Sequence, residues 1–258
     1  MSSFLLLPIV AGIGVSFLAS PVGIMMVWRR QSVLADVVAH VSLLAAVVAS
    51  ILSFSTTVSV IFTSVVVSLA ARVKHQSLPR DGWLVFLSAT GVSFALLLGS
   101  VLDVPPHVYQ QILFGDISLV TLEDIFWILG GGLLIIANLF AFWNPLLLMS
   151  VHKDLAYVDG IPSKFLEIAL QLIIGISVAL ILKVTGVLLT AAIMVMPSIA
   201  VREISTSPEK MTVFAFIFTL SSMLLGIWGA YLYDLSISAT IIVIMAIKFL
   251  ALRFFNFC

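Results

Sequence analysis

Apolar stretches close to the length of a bilayer-crossing helix follow one another along this chain with little between them. Cut at charges, prolines and turn residues, the sequence leaves runs near 4–28, 33–54, 58–73, 83–101, 125–143, 165–183, 186–201, 212–232 and 236–252. Crossing ~30 Å of hydrocarbon takes ~20 helical residues, so the runs read as about nine spans. The pair 165–183 and 186–201 is interrupted only at Lys183, Val184, Thr185 and Gly186. Merging the two brings the count to about eight. Of the 258 residues, 62% are hydrophobic and 9% charged, where soluble domains carry about a quarter charged. The expected fold class is therefore all-α, a polytopic membrane protein whose solvent is the bilayer, with a single transmembrane domain over 1–258.

Lysine and arginine set the orientation. With the N-terminus outside, Arg29, Arg30, Arg72, Lys74, Arg80, Lys153, Lys164, Arg202, Lys210, Lys248 and Arg253 all fall in or beside cytoplasmic segments. Lys183 alone lands outside, and the preferred reading is that it snorkels to the outer interface rather than pairing with an acid. Outer segments collect Asp103, Asp116, Glu123, Asp124 and Asp234. The start MSSF has no positive n-region, and hydrophobicity runs on through Pro21 to Trp28, so the first run is expected to be a span rather than a cleaved signal. Net charge of +0 gives no reason to expect nucleic acid as a partner, and the single cysteine, Cys258, allows no disulfide within one chain.

Two connecting segments stand out. In the outer one, 102–124, Thr121 precedes Leu122, Glu123 and Asp124, which places acids in the first turn of the next helix. The inner one, 144–164, contains a stretch from Ser150 to Val158 that predicts a short surface helix ended by Gly160 and Pro162. Such a helix is well placed to dock on a soluble partner. Small residues at helical spacing (Gly12/Ser16/Ser20, Ala35/Ala39, Ala45/Ala49, Gly226/Ala230) read as close helix packing. Gly130, Gly131 and Gly132 read as packing or a helix start.

The candidate chemistry lies at Asp36 and His40, four residues apart inside an apolar run just after Arg29 and Arg30. Residues i and i+4 share a helix face, so carboxylate and imidazole point the same way. Ionisable groups inside a bilayer usually line a polar path or meet a partner, and an oxygen with a nitrogen ligand suits a borderline metal such as zinc. The plain alternative is a structural hydrogen bond between the two. One pair supplies only two ligands; two copies about a two-fold axis supply four. A transport site must also release its ion, so an incomplete shell is compatible with the task. His107 and Asp116 in the outer loop are further candidates for cation capture, although an exposed loop histidine is the simpler reading of His107. His75 and His152 read as solvated.

No Walker A loop, HExxH or GxSxG is present. The chain is expected not to be an enzyme, and any ATP hydrolysis is expected on a separate polypeptide.

Four segments carry a resemblance: SPVGIMMVWRRQSVLADVVAHVSLL (20–44), ILFGDISLVTLEDI (112–125), DLAYVDGIPSKFLEIAL (154–170) and VTGVLLTAAIMVMPSIAVREISTSPEKM (184–211). In this order they resemble the permease subunits of bacterial ABC importers for zinc, manganese and iron, closest to the high-affinity zinc-uptake permeases. The resemblance implies a type II importer permease, similar in fold to the vitamin B12 and iron-chelate importers with fewer helices. It implies a homodimer in the bacterial inner membrane, two cytoplasmic ATP-binding subunits, and an extracytoplasmic metal-binding protein. Zn2+ is then the transported substrate, ATP is used by the partner, and no cofactor is held permanently. Asp36 and His40 match the family's positions on the metal path. Asp154, Leu155, Ala156, Gly160, Ile161 and Pro162 match its cytoplasmic coupling helix. One departure is that the family commonly has a small residue after the histidine and a glycine a few positions later, where this chain has Val41 and Ala45. A manganese or ferrous-iron importer of the same architecture, and a secondary carrier driven by an ion gradient, remain as alternatives.

Overall fold

The structure, a computed structural model, describes residues 2–72, 80–105, 112–115, 117–151, 156 and 158–257. Its helices are α1 (Ser2–Trp28), α2 (Ser32–Leu52), α3 (Thr56–Ala70) and α4 (Arg80–Val101). After a 3-10 turn at Ile117–Leu119 comes α5 (Leu122–Ala141), wound as a π-turn over Trp127–Gly131. Then follow α6 (Trp143–Val151), α7 (Ser163–Ala200), α8 (Pro208–Tyr233) and α9 (Ile237–Phe257). Among the described residues there is no strand. Seven helices are long and apolar enough to cross a membrane, and α3, with 15 residues, is apolar but shorter. The chain is a multi-pass, all-helical membrane protein.

The doubtful stretch near Gly186 is a reversal. Gly186 has φ 75 and ψ 171 in the middle of the 38-residue α7. On α1, Gly23 lies against the carbonyl of Met194, while Arg29, just beyond the same helix, pairs with Glu167. In a straight helix Glu167 and Met194 lie ~40 Å apart, whereas Gly23 and Arg29 are only ~9 Å apart along α1. Both contacts hold only if α7 turns back at Gly186. Its two limbs correspond to the stretches 165–183 and 186–201, and taking both limbs and α3 as passes gives the higher of the two expected counts.

A reversal whose residues, Thr185 and Gly186, are buried leaves backbone groups to be satisfied inside the protein. The Ser238 hydroxyl donates to the Thr185 carbonyl at 3.4 Å, the Thr190 hydroxyl donates to the Gly186 carbonyl at 2.6 Å, and the Thr185 and Thr190 hydroxyls lie 3.0 Å apart. The same economy runs through the bundle. Ser16, Ser20, Ser42, Ser177 and Thr219 donate to carbonyls one turn back, and the Ser42 and Ser64 hydroxyls meet between α2 and α3 at 3.2 Å.

α1 and α7 form the centre, each 78% buried over its most apolar stretch, and α9 lies at the periphery with 17%. The small-residue stripes pack closely, as expected. A Cβ on Gly12 would touch Met223 and Ile227, and one on Gly226 would run into Ile241. The glycine run lies inside α5 rather than at its start, with Gly131 against Leu180 and Gly132 against Leu18. The departure at Val41 is accommodated on α4, where Gly91 lies against the Val41 side chain. The expected acidic helix start is present as a capping box. The Asp124 amide donates to Thr121 Oγ1, and the Thr121 amide and hydroxyl donate to the Asp124 carboxylate.

Two lysine expectations are corrected. Lys183 does not snorkel alone; its ammonium pairs with Asp124 at 2.5 Å, the carboxylate side chain being 10% exposed. Lys248 is not at the cytoplasmic edge. It bonds the Phe218 carbonyl and the hydroxyls of Ser221 and Ser222, near the midpoints of both α8 and α9. Inside the apolar helix pair, oxygen acceptors on the neighbouring helix take the three protons of its ammonium.

Candidate functional site

α2 is buried along most of its circumference, with Leu34, Ala35, Val37, Val38, Ala39, Val41 and Ser42 all covered. Asp36 and His40 lie on the stripe left open: their side chains are 51% and 27% exposed. By helix rise the pair sits ~6 and ~12 Å from the start of α2. The residues forming the helix are ordinary apolar helix and packing types; the open stripe exists because neighbouring helices cover every other face.

His40 Nδ1 lies 2.8 Å from the Asp36 carbonyl oxygen and 3.3 Å from Asp36 Oδ1. A carbonyl oxygen only accepts, so Nδ1 carries the proton. In the neutral imidazole the lone pair is then on Nε2, the nitrogen directed away from Asp36. A carboxylate steadying one ring nitrogen while the other is left to bind is a recurrent arrangement around metal-binding histidines. The sequence brought both residues to one face. The structure adds that Asp36 approaches the Nδ1 side, which leaves Nε2 as the second imidazole nitrogen beside an exposed carboxylate. Among the described residues no cluster of three His, Cys, Asp or Glu side chains is poised to hold a metal.

Further outward on the same face of α2, Leu43 and Val47 are buried with Ala95 in a small apolar cluster. Val92, Leu98, Val104, Ile112 and Leu113 pack against it. A separate cavity of about 280 Å³ lies at the outer end between α2, α3, α5 and α7. It is lined by Ser50, Thr57, Val60, Asp124, Lys183 and others, and does not include the Asp36/His40 pair.

Of the coupling residues named from the sequence, Ala156 is fully buried in the main core and Ile161 packs against that core. The Ile161 amide donates to the Ala156 carbonyl at 3.0 Å. Gly160 is exposed, in a left-handed turn with φ 68, and Pro162 precedes α7. The stretch Ser150 to Val158 is only partly described: Ser150 and Val151 close α6, and Asp154 and Leu155 lie outside the described residues, as do His75, His107, Asp116 and His152. Sequence reasoning missed the pairing of Lys183 and the depth of Lys248. The signal for Lys248 was available, since it stands inside the run 236–252 with no turn residue near it.

The sequence matches the ABC 3 transport family over residues 1–256. Over 243 residues it is 28% identical to the high-affinity zinc uptake system membrane protein ZnuB of Buchnera aphidicola subsp. Schizaphis graminum, with 93% of each chain covered. Over 263 residues it is 26% identical to the manganese transport system membrane protein MntC of Halalkalibacterium halodurans, covering 98% of this chain and 87% of that one. Its fold is similar to that of a chain in PsaBC from Streptococcus pneumoniae in complex with Fab, with a TM-score of 0.85 and 22% identity, over 96% of this chain and 90% of the other. With the match running from the first helix through the last, the chain belongs to the ABC 3 transport family.

Proposed function

We propose that this chain is the permease subunit of an ATP-driven importer of divalent transition metal, and that its substrate is Zn2+. The observation that carries the reading is the Asp36/His40 pair, which stands on the one open stripe of an otherwise buried membrane helix with Nδ1, not Nε2, turned to Asp36. The family assignment supports the energy source. The zinc-uptake relatives support the ion.

On this reading 1–258 is one permease domain that works as a homodimer in the bacterial inner membrane. Two open stripes facing each other across the axis bring two imidazoles and two carboxylates together. His40 Nε2 and the Asp36 carboxylate are transient ligands, enough to draw a divalent ion out of water and few enough to let it go. An extracytoplasmic metal-binding protein delivers the ion, and His107 and Asp116 in the outer loop are candidates for its first contact. Two cytoplasmic ATP-binding subunits dock on 144–164, where Asp154, Leu155, Ala156, Gly160, Ile161 and Pro162 form the coupling segment. Gly160 is apt for that role because open space surrounds its Cα.

A second reading, import of manganese or ferrous iron, draws on the manganese and iron transport relatives. A secondary carrier is the reading of a different class.

The test is uptake in proteoliposomes holding the permease, its ATPase and the metal-binding protein. Asp36→Ala and His40→Ala are expected to abolish zinc uptake while the ATPase still co-purifies; wild-type uptake by both removes the pair from the mechanism. Competition by Mn2+ and Fe2+ ranks the ions. A Gly160→Trp variant is expected to uncouple ATP hydrolysis. Zinc movement with no ATPase present would overturn the importer reading in favour of the carrier.

A further inference from the structure

One buried side chain joins the docking segment to the helix that follows it and stands at the entrance to the helix that bears the metal pair. Arg29 directly follows α1, and its side chain is 5% exposed. Nη1 donates to the Met149 carbonyl at 2.8 Å, and Nη2 lies 3.2 Å from Glu167 Oε1. Met149 belongs to the last turn of α6, where carbonyls lack helical partners and attract a cation. Glu167 is one turn into α7. The guanidinium fork therefore joins the last turn of α6, inside the docking stretch 144–164, to α7, just beyond it.

The other end of the linkage is equally fixed. The turn from α1 into α2 is bonded by the amides of Arg29, Arg30 and Gln31 to the carbonyls of Met25, Val27 and Met26. Arg30 takes φ 52, and Gln31 is 5% exposed. These backbone bonds tie the start of α2 to the end of α1. α2 begins at Ser32, and Asp36 and His40 lie one and two turns further along. At the docking side, Ala156 is buried in the core and Ile161 packs against it.

We propose that Arg29 is a positioning residue that carries displacement of α6, in the docking stretch 144–164, to the α1–α2 turn, and through it to Asp36 and His40. The inference rests on the reading of 144–164 as the ATPase-docking segment and of the pair as the metal path. Arginine suits the role because a planar fork holds two acceptors in fixed directions; lysine presents a single point of charge.

The test uses the complete transporter in proteoliposomes, comparing Arg29→Met, Arg29→Lys and Glu167→Gln for zinc moved per ATP hydrolysed and for ATPase co-purification. Arg29→Met is expected to keep the ATPase bound and hydrolysing while zinc per ATP falls about tenfold, the scale that coupling residues carry. Arg29→Lys should recover part of the loss, and Glu167→Gln should lose less than Arg29→Met. A second measurement reads the motion itself. Spin labels at Val33→Cys and Val158→Cys, both exposed positions, in a Cys258→Ser background should change separation on ATP binding in the parent, and not in Arg29→Met. An unchanged zinc-to-ATP ratio or an unchanged label response in Arg29→Met overturns the proposal. So does loss of the bound ATPase in all three variants, which makes Arg29 a support of the docking surface only. In each of these results the parent still imports zinc with its ATPase; failure of the parent to need the ATPase is the separate failure of the functional reading.

Discussion

Gly115 and Gly186 cross backbone against backbone. A Cβ on either would fall on main-chain atoms of the other or its neighbour, and both residues take positive φ, 62 and 75. The outer segment is thereby seated directly on the reversal of α7, at a separation that no side chain fits.

Gly186→Ala is expected to be the most damaging single methyl addition in the chain. Its φ 75, ψ 171 conformation belongs to a region essentially reserved for glycine, at a cost on the order of 1–3 kcal/mol before any clash. Gly160→Ala also meets a positive φ but has open space, so about 1 kcal/mol is expected. Thermal unfolding in detergent, read by intrinsic tryptophan fluorescence, should rank Gly186→Ala well below Gly160→Ala.

Breaking the Lys183–Asp124 pair from one side strands a charge. The carboxylate side chain is 10% exposed and the lysine 31%, so Asp124→Asn or Lys183→Met is expected to lower stability by about 2 kcal/mol each. The double variant Asp124→Asn/Lys183→Met should lose less than the two singles added together, because no unpaired charge remains. A double-mutant cycle in chemical or thermal denaturation checks the sign.

Around Lys248 the asymmetry runs the other way. The Ser221 and Ser222 hydroxyls already donate to the carbonyls of Ile217 and Phe218, so Lys248→Met leaves no donor stranded and is expected to change stability by less than about 1 kcal/mol. Ser221→Ala/Ser222→Ala keeps the ammonium and removes two of its acceptors, and should cost about 2 kcal/mol. Equal losses in the two variants would contradict the account.

Val41 and Gly91 are a matched pair. A methyl on Gly91 would stand 2.8 Å from Val41 Cγ2 and 3.2 Å from its Cα, an overpacking of about 1–3 kcal/mol. Val41→Ala in the Gly91→Ala background is expected to restore part of that loss, measured as recovery of the unfolding temperature.

The bundle was legible because hydropathy and the placement of lysine and arginine are set by the bilayer, which acts on every residue of a span alike. Asp36 and His40 were legible as a facing pair because helix periodicity alone brings residues four apart to one side. Their relative orientation was not, since whether a carboxylate approaches Nδ1 or Nε2 depends on rotamers. The partner of Lys183 lies far away in sequence on α5, and no local pattern announces it. Lys248 was misplaced by a rule that counts charges near span ends and has no way to recognise an ammonium satisfied by serines on an adjacent helix. The kink at Gly186 sat between both readings, because a glycine permits a reversal without requiring one; the contacts of Gly23 and Arg29 decide it.

α3 has 15 residues, ~22 Å of helix against ~30 Å of hydrocarbon. Val58, Phe62 and Val66 leave it exposed on its outer side, where acyl chains meet it. As a pass, a rod this short is met by thinning of the bilayer or by side chains reaching from its ends to the interface, at a fraction of a kcal/mol for each ångström of mismatch. The acyl-chain length of the host's lipids then enters the energetics of any motion that tilts this helix.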